Sequence, residues 1–138
     1  MSDLSNFSLT DLVKGIKKKD FTSLEITKTF VNNSENSTKL NAYITKCFDE
    51  AIISAKNFDK KKDYKGLLPG IPIAVKDLFC TKNVKTTAGS KILHNFVPTY
   101  ESTVTKKLWS EGAFLLGKLN CDEFAMGSSN ETSFFGNV

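Results

Sequence analysis

The sequence predicts an α/β fold: N-terminal helices, then the start of a mixed, largely parallel sheet covered by helices. Three observations carry this. Before residue 66, apolar residues recur at helical spacing in three stretches. At Pro69-Gly70-Ile71-Pro72 that pattern breaks, with glycine supplying turn freedom and proline fixing φ. Beyond it come an apolar run at 73–76, a helical run at 103–110 and a second apolar run at 113–117. Strand, helix and strand in that order make a βαβ unit with parallel strands.

Each element has a local reason. Ser8-x-x-Asp11 is a capping box with Asp in place of Glu or Gln, and Leu9, Leu12, Val13 and Ile16 follow on one helical face. Thr22-x-x-Glu25 is a full capping box. It opens a second helix with Leu24, Thr27, Phe30 and Val31 on one face. Residues 32–37 are polar and read as a loop, and 41–45 as a short extended segment. Phe48, Ile52, Ala55 and Phe58 mark a third helix that ends in the charged stretch 59–65. Residues 84–88 read as extended. In the helix at 103–110 the apolar positions are Val104, Leu108 and Trp109, and Gly112 stands at its C′ position.

Composition narrows the function. With 138 residues, 40% hydrophobic and 25% charged, the chain can bury an ordinary core and is not of disordered type. The longest apolar runs, 71–75 and 113–116, fall far short of the roughly 20 residues a membrane helix needs, so no membrane partner is expected. The opening residues contain no apolar stretch, so a secretory leader is not expected. All 19 basic residues are lysine, which excludes an Arg-rich transit peptide and any bidentate Arg clamp within these residues. The expected location is the cytoplasm, with an organelle matrix as the alternative. Net charge is +4. The lysine runs at 17–19 and 60–62 lack interleaved aromatics and read as solvated rather than as a nucleic-acid patch. Three cysteines without C-x-x-C spacing and a single histidine, His94, fit neither a disulfide framework nor a zinc site.

Two places could carry chemistry. Lys76 closes the apolar run 73–76, at the carboxyl end of its strand, where open α/β sheets place their ligands. A sheet covered on both faces would bury Lys76 in part, and a desolvated lysine offers its neutral amine as a base. Asp77 points to the opposite face and is a poor partner for it. The second place is 126–136, where small residues allow close approach of a ligand and Ser128, Ser129 and Asn130 offer hydroxyls and an amide. Asp122 and Glu123 read as acids at a helix N-terminus. Cys80 and Cys121, with no histidine partner, read as small buried hydrophobes.

The segment 68–77, Leu-Pro-Gly-Ile-Pro-Ile-Ala-Val-Lys-Asp, resembles the lysine motif of the amidase-signature family. The run 117–131, ending Asp122-Glu123-Phe124-Ala125-Met126-Gly127-Ser128-Ser129-Asn130-Glu131, is similar to the segment preceding that family's glycine/serine signature. It is most similar to the tRNA-dependent amidotransferase branch. The resemblance is weak before residue 67 and strong after it. It implies an incomplete amidase-signature fold within one domain, with 1–66 as its mainly helical segment and 67–138 as the start of the catalytic core.

Further implications concern the chemistry. The family uses a Ser–cis-Ser–Lys triad, whose lysine falls on Lys76. Met126, Gly127, Ser128 and Ser129 match the segment lining the acyl pocket. The branch hydrolyses glutamine and passes ammonia to partner B and C subunits. There ATP and Mg²⁺ serve the conversion of mischarged Glu-tRNA(Gln) to Gln-tRNA(Gln). No cofactor is expected in this chain itself. Both triad serines belong to the family's signature beyond residue 138, so these residues alone are expected to lack amidase activity. The alternatives are part of a stand-alone amidase and a non-catalytic interaction module.

Overall fold

The computed structural model describes residues 4–138. The elements are α1 (Leu9–Lys18), α2 (Ser23–Asn36), β1 (Tyr43–Lys46), α3 (Phe48–Lys61), β2 (Pro72–Lys76), α4 (Thr103–Ser110) and β3 (Phe114–Leu119). Single 3-10 turns lie at Leu4–Asn6, Thr38–Leu40 and Glu123–Ala125. The three strands form one sheet in the order β1-β3-β2. β1 runs antiparallel to β3, with Tyr43 opposite Leu119 and Lys46 opposite Gly117. Phe114 N–H donates to Ile71 O at one end of β2 and Asp77 N–H to Leu119 O at the other, so β2 and β3 run parallel. The sheet is therefore mixed, and the expected βαβ unit is present as β2–α4–β3. No helix among the described residues is long and apolar enough to cross a membrane.

Two compact units share this chain. The first comprises residues 4–36 with Cys47–Ile73 and Leu108–Leu116. Its core is apolar: Leu12, Ile16, Ile26 and Ile71 are buried, with Phe7, Phe21, Phe30, Phe58 and Leu68 packed around them. Both expected helix starts form. Ser8 caps α1 by accepting the Asp11 N–H at 3.2 Å, and its hydroxyl donates to the Asp11 carboxylate at 2.6 Å. At α2 the capping box is reciprocal. Thr22 N–H donates to Glu25 at 2.7 Å, and Glu25 N–H donates to the Thr22 hydroxyl at 3.1 Å. The bonds from Thr22 hold the Glu25 carboxyl below its ordinary range. The next two donors of α2, the N–H groups of Ser23 and Leu24, are taken by the two carboxylate oxygens of Asp59, 3.0 Å each. Four orphan N–H groups at a helix start must find acceptors. Here a distant residue on α3 supplies two.

Some expectations change. Residues 32–36 are the last turns of α2 rather than loop, because Val31 stays buried and the helix runs on past it. Residues 84–88 form no strand; Thr81 and Val84 make only an isolated bridge. In α4 Val104 is 47% exposed, and the buried position is Thr105. Its hydroxyl is satisfied by Glu101, Ser102 and the Cys80 carbonyl. Gly112 does occupy the turn after α4, at φ +93°, a backbone conformation that favours glycine.

The second unit comprises Ser37–Lys46, Ala74–Lys107 and Gly117–Val138. Its interior is largely polar: Asp77, Thr81, Thr86, Thr87, Ser90, Lys118 and Asp122 are all buried. Such groups are tolerated inside only when hydrogen-bonded.

The Asp59 clamp gives the first test. Asp59→Ala strands two helix donors and should lower stability by about 1–3 kcal/mol, with Asp59→Asn costing less because one acceptor remains. Urea unfolding checks this; an unchanged midpoint in Asp59→Ala would contradict the clamp.

Candidate functional site

The site lies within the second unit. Lys76 is the last residue of β2, and its side chain is exposed. It borders an open hollow of about 520 Å³, shared with Asn120, Cys121, Asp122, Gly127, Ser128, Ser129 and Asn130. The lysine and the serine loop, some 50 residues apart in sequence, thus meet at one place. Met126 does not line that hollow and is 83% exposed. The expected partial burial of Lys76 is not found, because its wall of the hollow is open.

The buried lysine is instead Lys118, in the middle strand β3, and it is fully enclosed together with Asp77. Lys118 Nζ lies 3.3 Å from Asp77 Oδ1 and donates to Phe79 O at 2.8 Å and to Thr86 Oγ1 at 2.7 Å. Asp77 Oδ2 accepts the Thr87 N–H at 2.8 Å and the Thr87 hydroxyl. Asp77, a poor partner for Lys76 by strand geometry, is thus the counter-ion of another lysine. The available signal is a lysine inside the apolar run of β3; spacing alone does not pair it with Asp77.

Asp122 organises the serine loop. It stands at the N-cap position of the 3-10 turn Glu123–Ala125, as expected, with Glu123 in the first turn, but its side chain caps no N–H there. Its Oδ2 accepts the Asn130 N–H at 2.9 Å, and its Oδ1 accepts the Thr132 N–H at 3.1 Å and hydroxyl at 2.9 Å. The Thr132 and Asn130 backbone donors, in that order, hold its carboxyl below the ordinary range. Gly127 sits against this carboxylate so closely that a Cβ there would lie 2.4 Å from Asp122 Cγ. Phe124, Ala125 and Asn130 all adopt left-handed backbone, which non-glycine residues hold only when neighbours fix them. The Phe124 N–H to Ala88 O bond and the Asp122 clamp provide that fixing.

The Cys121 thiol is a poor nucleophile here. Cys121 is buried, and burial first, then the Asp77 charge, push its thiol up. Cys80 is half-buried and donates its S–H to the Tyr100 hydroxyl at 3.4 Å. Among the described residues no three His, Cys, Asp or Glu side chains gather as a metal site. What the hollow offers is one amine, a set of hydroxyls and exposed backbone on a rigidly held loop.

Linkage makes the Asp122 clamp testable. Its folded-state pKa is depressed, so its stabilisation is present above the unfolded value, about 3.9, and is lost as pH falls through the folded value. Asp122→Asn should lower stability at neutral pH and flatten the decline of thermal midpoint below about pH 4. Parallel acid limbs in the two proteins would contradict this.

Comparison with known proteins fits this geometry. A model of the Amidase family matches residues 25–138. The A subunit of glutamyl-tRNA(Gln) amidotransferase from Pelagibacter ubique (strain HTCC1062) is 66% identical over 138 residues, covering 100% of this chain and 28% of that protein. Its counterpart in Bradyrhizobium sp. (strain BTAi1 / ATCC BAA-1182) is 54% identical over 140 residues, covering 100% and 28%. Among solved structures, an amidase crystal structure superposes with TM-score 0.87 at 26% identity, covering 96% of this chain and 31% of that one. The glutamyl-tRNA(Gln) amidotransferase A subunit from Thermotoga maritima gives TM-score 0.74 at 26% identity, covering 99% and 27%. The chain spans 28% of the length of these curated relatives. It belongs to the amidase-signature family.

Proposed function

We propose that this chain is the N-terminal part of the glutamine-hydrolysing subunit of a tRNA-dependent amidotransferase, with Lys76 as its base. The observation that carries the reading is 66% identity, across the whole chain, to a glutamyl-tRNA(Gln) amidotransferase A subunit. The meeting of Lys76 with Gly127, Ser128 and Ser129 around one hollow supports it.

In this reading the remainder of the subunit covers the hollow and brings the bridging and nucleophilic serines to Lys76. Covering it desolvates the amine and favours its neutral form. The neutral amine takes a proton from the bridging serine, which takes one from the nucleophile. The nucleophile attacks the glutamine side-chain amide, the proton taken up by Lys76 returns through the bridging serine to the amide nitrogen, ammonia leaves, and water deprotonated by the same relay clears the acyl-enzyme. Met126, Gly127, Ser128 and Ser129 would belong to the acyl pocket, with Met126 reaching it only once the pocket is complete. ATP and Mg²⁺ act, in this reading, with the B and C partner subunits on Glu-tRNA(Gln) in the cytoplasm, and no step of this chain's chemistry runs through them.

A stand-alone amidase is the second reading, favoured by the higher TM-score to an amidase, 0.87 against 0.74. Dependence of amide transfer on partner subunits separates the two.

The test uses the full-length subunit. Lys76→Ala should abolish ammonia release while largely sparing glutamine binding. Lys76→Arg should fail too, because a guanidinium stays charged and cannot accept the proton. Appreciable turnover in Lys76→Arg would overturn the base assignment.

A further inference from the structure

We infer that the buried Lys118–Asp77 pair is a positioning device for Lys76, holding the end of β2 so that the Lys76 side chain opens onto the hollow. The inference rests on the reading of Lys76 as base. Lys76 ends β2, and Asp77 is the next residue. Asp77 is anchored by its backbone and by Oδ2, while Oδ1 is held only by the ion pair with Lys118. The Asp77 N–H donates to Leu119 O and its carbonyl accepts the Ala88 N–H, each at 2.9 Å. Its carboxylate holds Thr87 on one oxygen and Lys118 on the other. The turn that follows is closed from both sides. Phe79 N–H donates to Lys76 O at 3.1 Å, while Phe79 O accepts from Lys118 Nζ.

The contacts of Lys118 suit this role: its ammonium donates to Phe79 O and Thr86 Oγ1, and it lies 3.3 Å from Asp77 Oδ1, which accepts no hydrogen bond among the described residues and is held by the ion pair alone. That leaves Lys118 held in the frame by two hydrogen bonds and an ion pair. A buried ion pair is a weak device for stability, since packed apolar side chains of similar volume often serve as well or better. It is a strong device for direction, because each partner is fixed by several hydrogen bonds at once. The two lysines thus divide the work: Lys118 fixes the frame and Lys76 is left open to the hollow.

The test is made in the full-length protein with its partners. Single removal of Asp77 or Lys118 can unfold the protein, so the informative variant is Asp77→Leu/Lys118→Met, an apolar pair of similar volume. Thermal midpoint, kcat, KM for glutamine and the pH–rate profile are measured beside Lys76→Ala. The double variant is expected to fold with a near-native midpoint and near-native KM, yet to lose about 100-fold in kcat, the scale of a small misplacement of a catalytic group. Its pH–rate profile should also shift. A folded double variant with native kcat and profile, alongside an inactive Lys76→Ala, overturns the positioning role alone. An active Lys76→Ala overturns the base assignment and this inference with it. If the double variant does not fold, Thr87→Val decides. It removes one donor to Asp77 and should lower kcat by about five- to ten-fold with KM unchanged; native kcat overturns the inference.

Discussion

The second unit is built around one buried ion pair. Lys118 and Asp77 are both fully enclosed, and a charge taken out of water is tolerated only when paired and hydrogen-bonded. That requirement dictates much of what surrounds them. Thr86 and Thr87 turn their hydroxyls inward, Phe79 offers its carbonyl, and the loop from 77 to 90 is drawn into a fixed path. The path extends further. Ala88 O accepts the Phe124 N–H and Gly89 O accepts the Phe134 N–H, which ties the serine loop to the same frame.

The two units solve stability differently. The first buries aliphatic and aromatic side chains from three helices, and its polar features sit at helix starts. Apolar packing of that kind is non-directional. The second buries threonines, a lysine and aspartates, whose hydrogen bonds specify direction as well as depth. A site that must hold an amine and a loop of hydroxyls in register needs the second kind. The left-handed residues Phe124, Ala125 and Asn130 show the cost of that register, which the Asp122 carboxylate and the Ala88 carbonyl offset.

Local signals are legible in the sequence and long-range pairings are not. The capping residues Ser8 and Thr22, the strand ending at Lys76, the βαβ order and Gly112 all follow from spacing within a few residues. The second anchor of α2, Asp59, lies 35 residues downstream of Leu24 and carries no local mark. The polarity of 32–36 misleads because an exposed helix end can be polar all round. Residues 84–88 look extended by composition, yet their threonines serve Lys118 and Asp77 instead of a ladder. At the site, Lys76 and the 127–129 loop are identifiable from motif resemblance. Lys118 escapes notice because one lysine among 19 has no distinguishing spacing, although its place in an apolar strand is visible. Asp122 stands at the start of a 3-10 turn as its position implies, but its carboxylate serves the loop instead of that turn. A carboxylate's acceptor geometry depends on where the chain returns, here at 130 and 132.

One lysine, Lys118, is sealed beside Asp77, while another, Lys76 at the neighbouring strand end, borders the hollow. Native-state acetylation with peptide mass mapping reads this for every lysine at once. In the full-length subunit Lys118 should stay unmodified until the protein unfolds, while the surface lysines label freely. Labelling of Lys118 at the rate of the surface lysines would contradict the account.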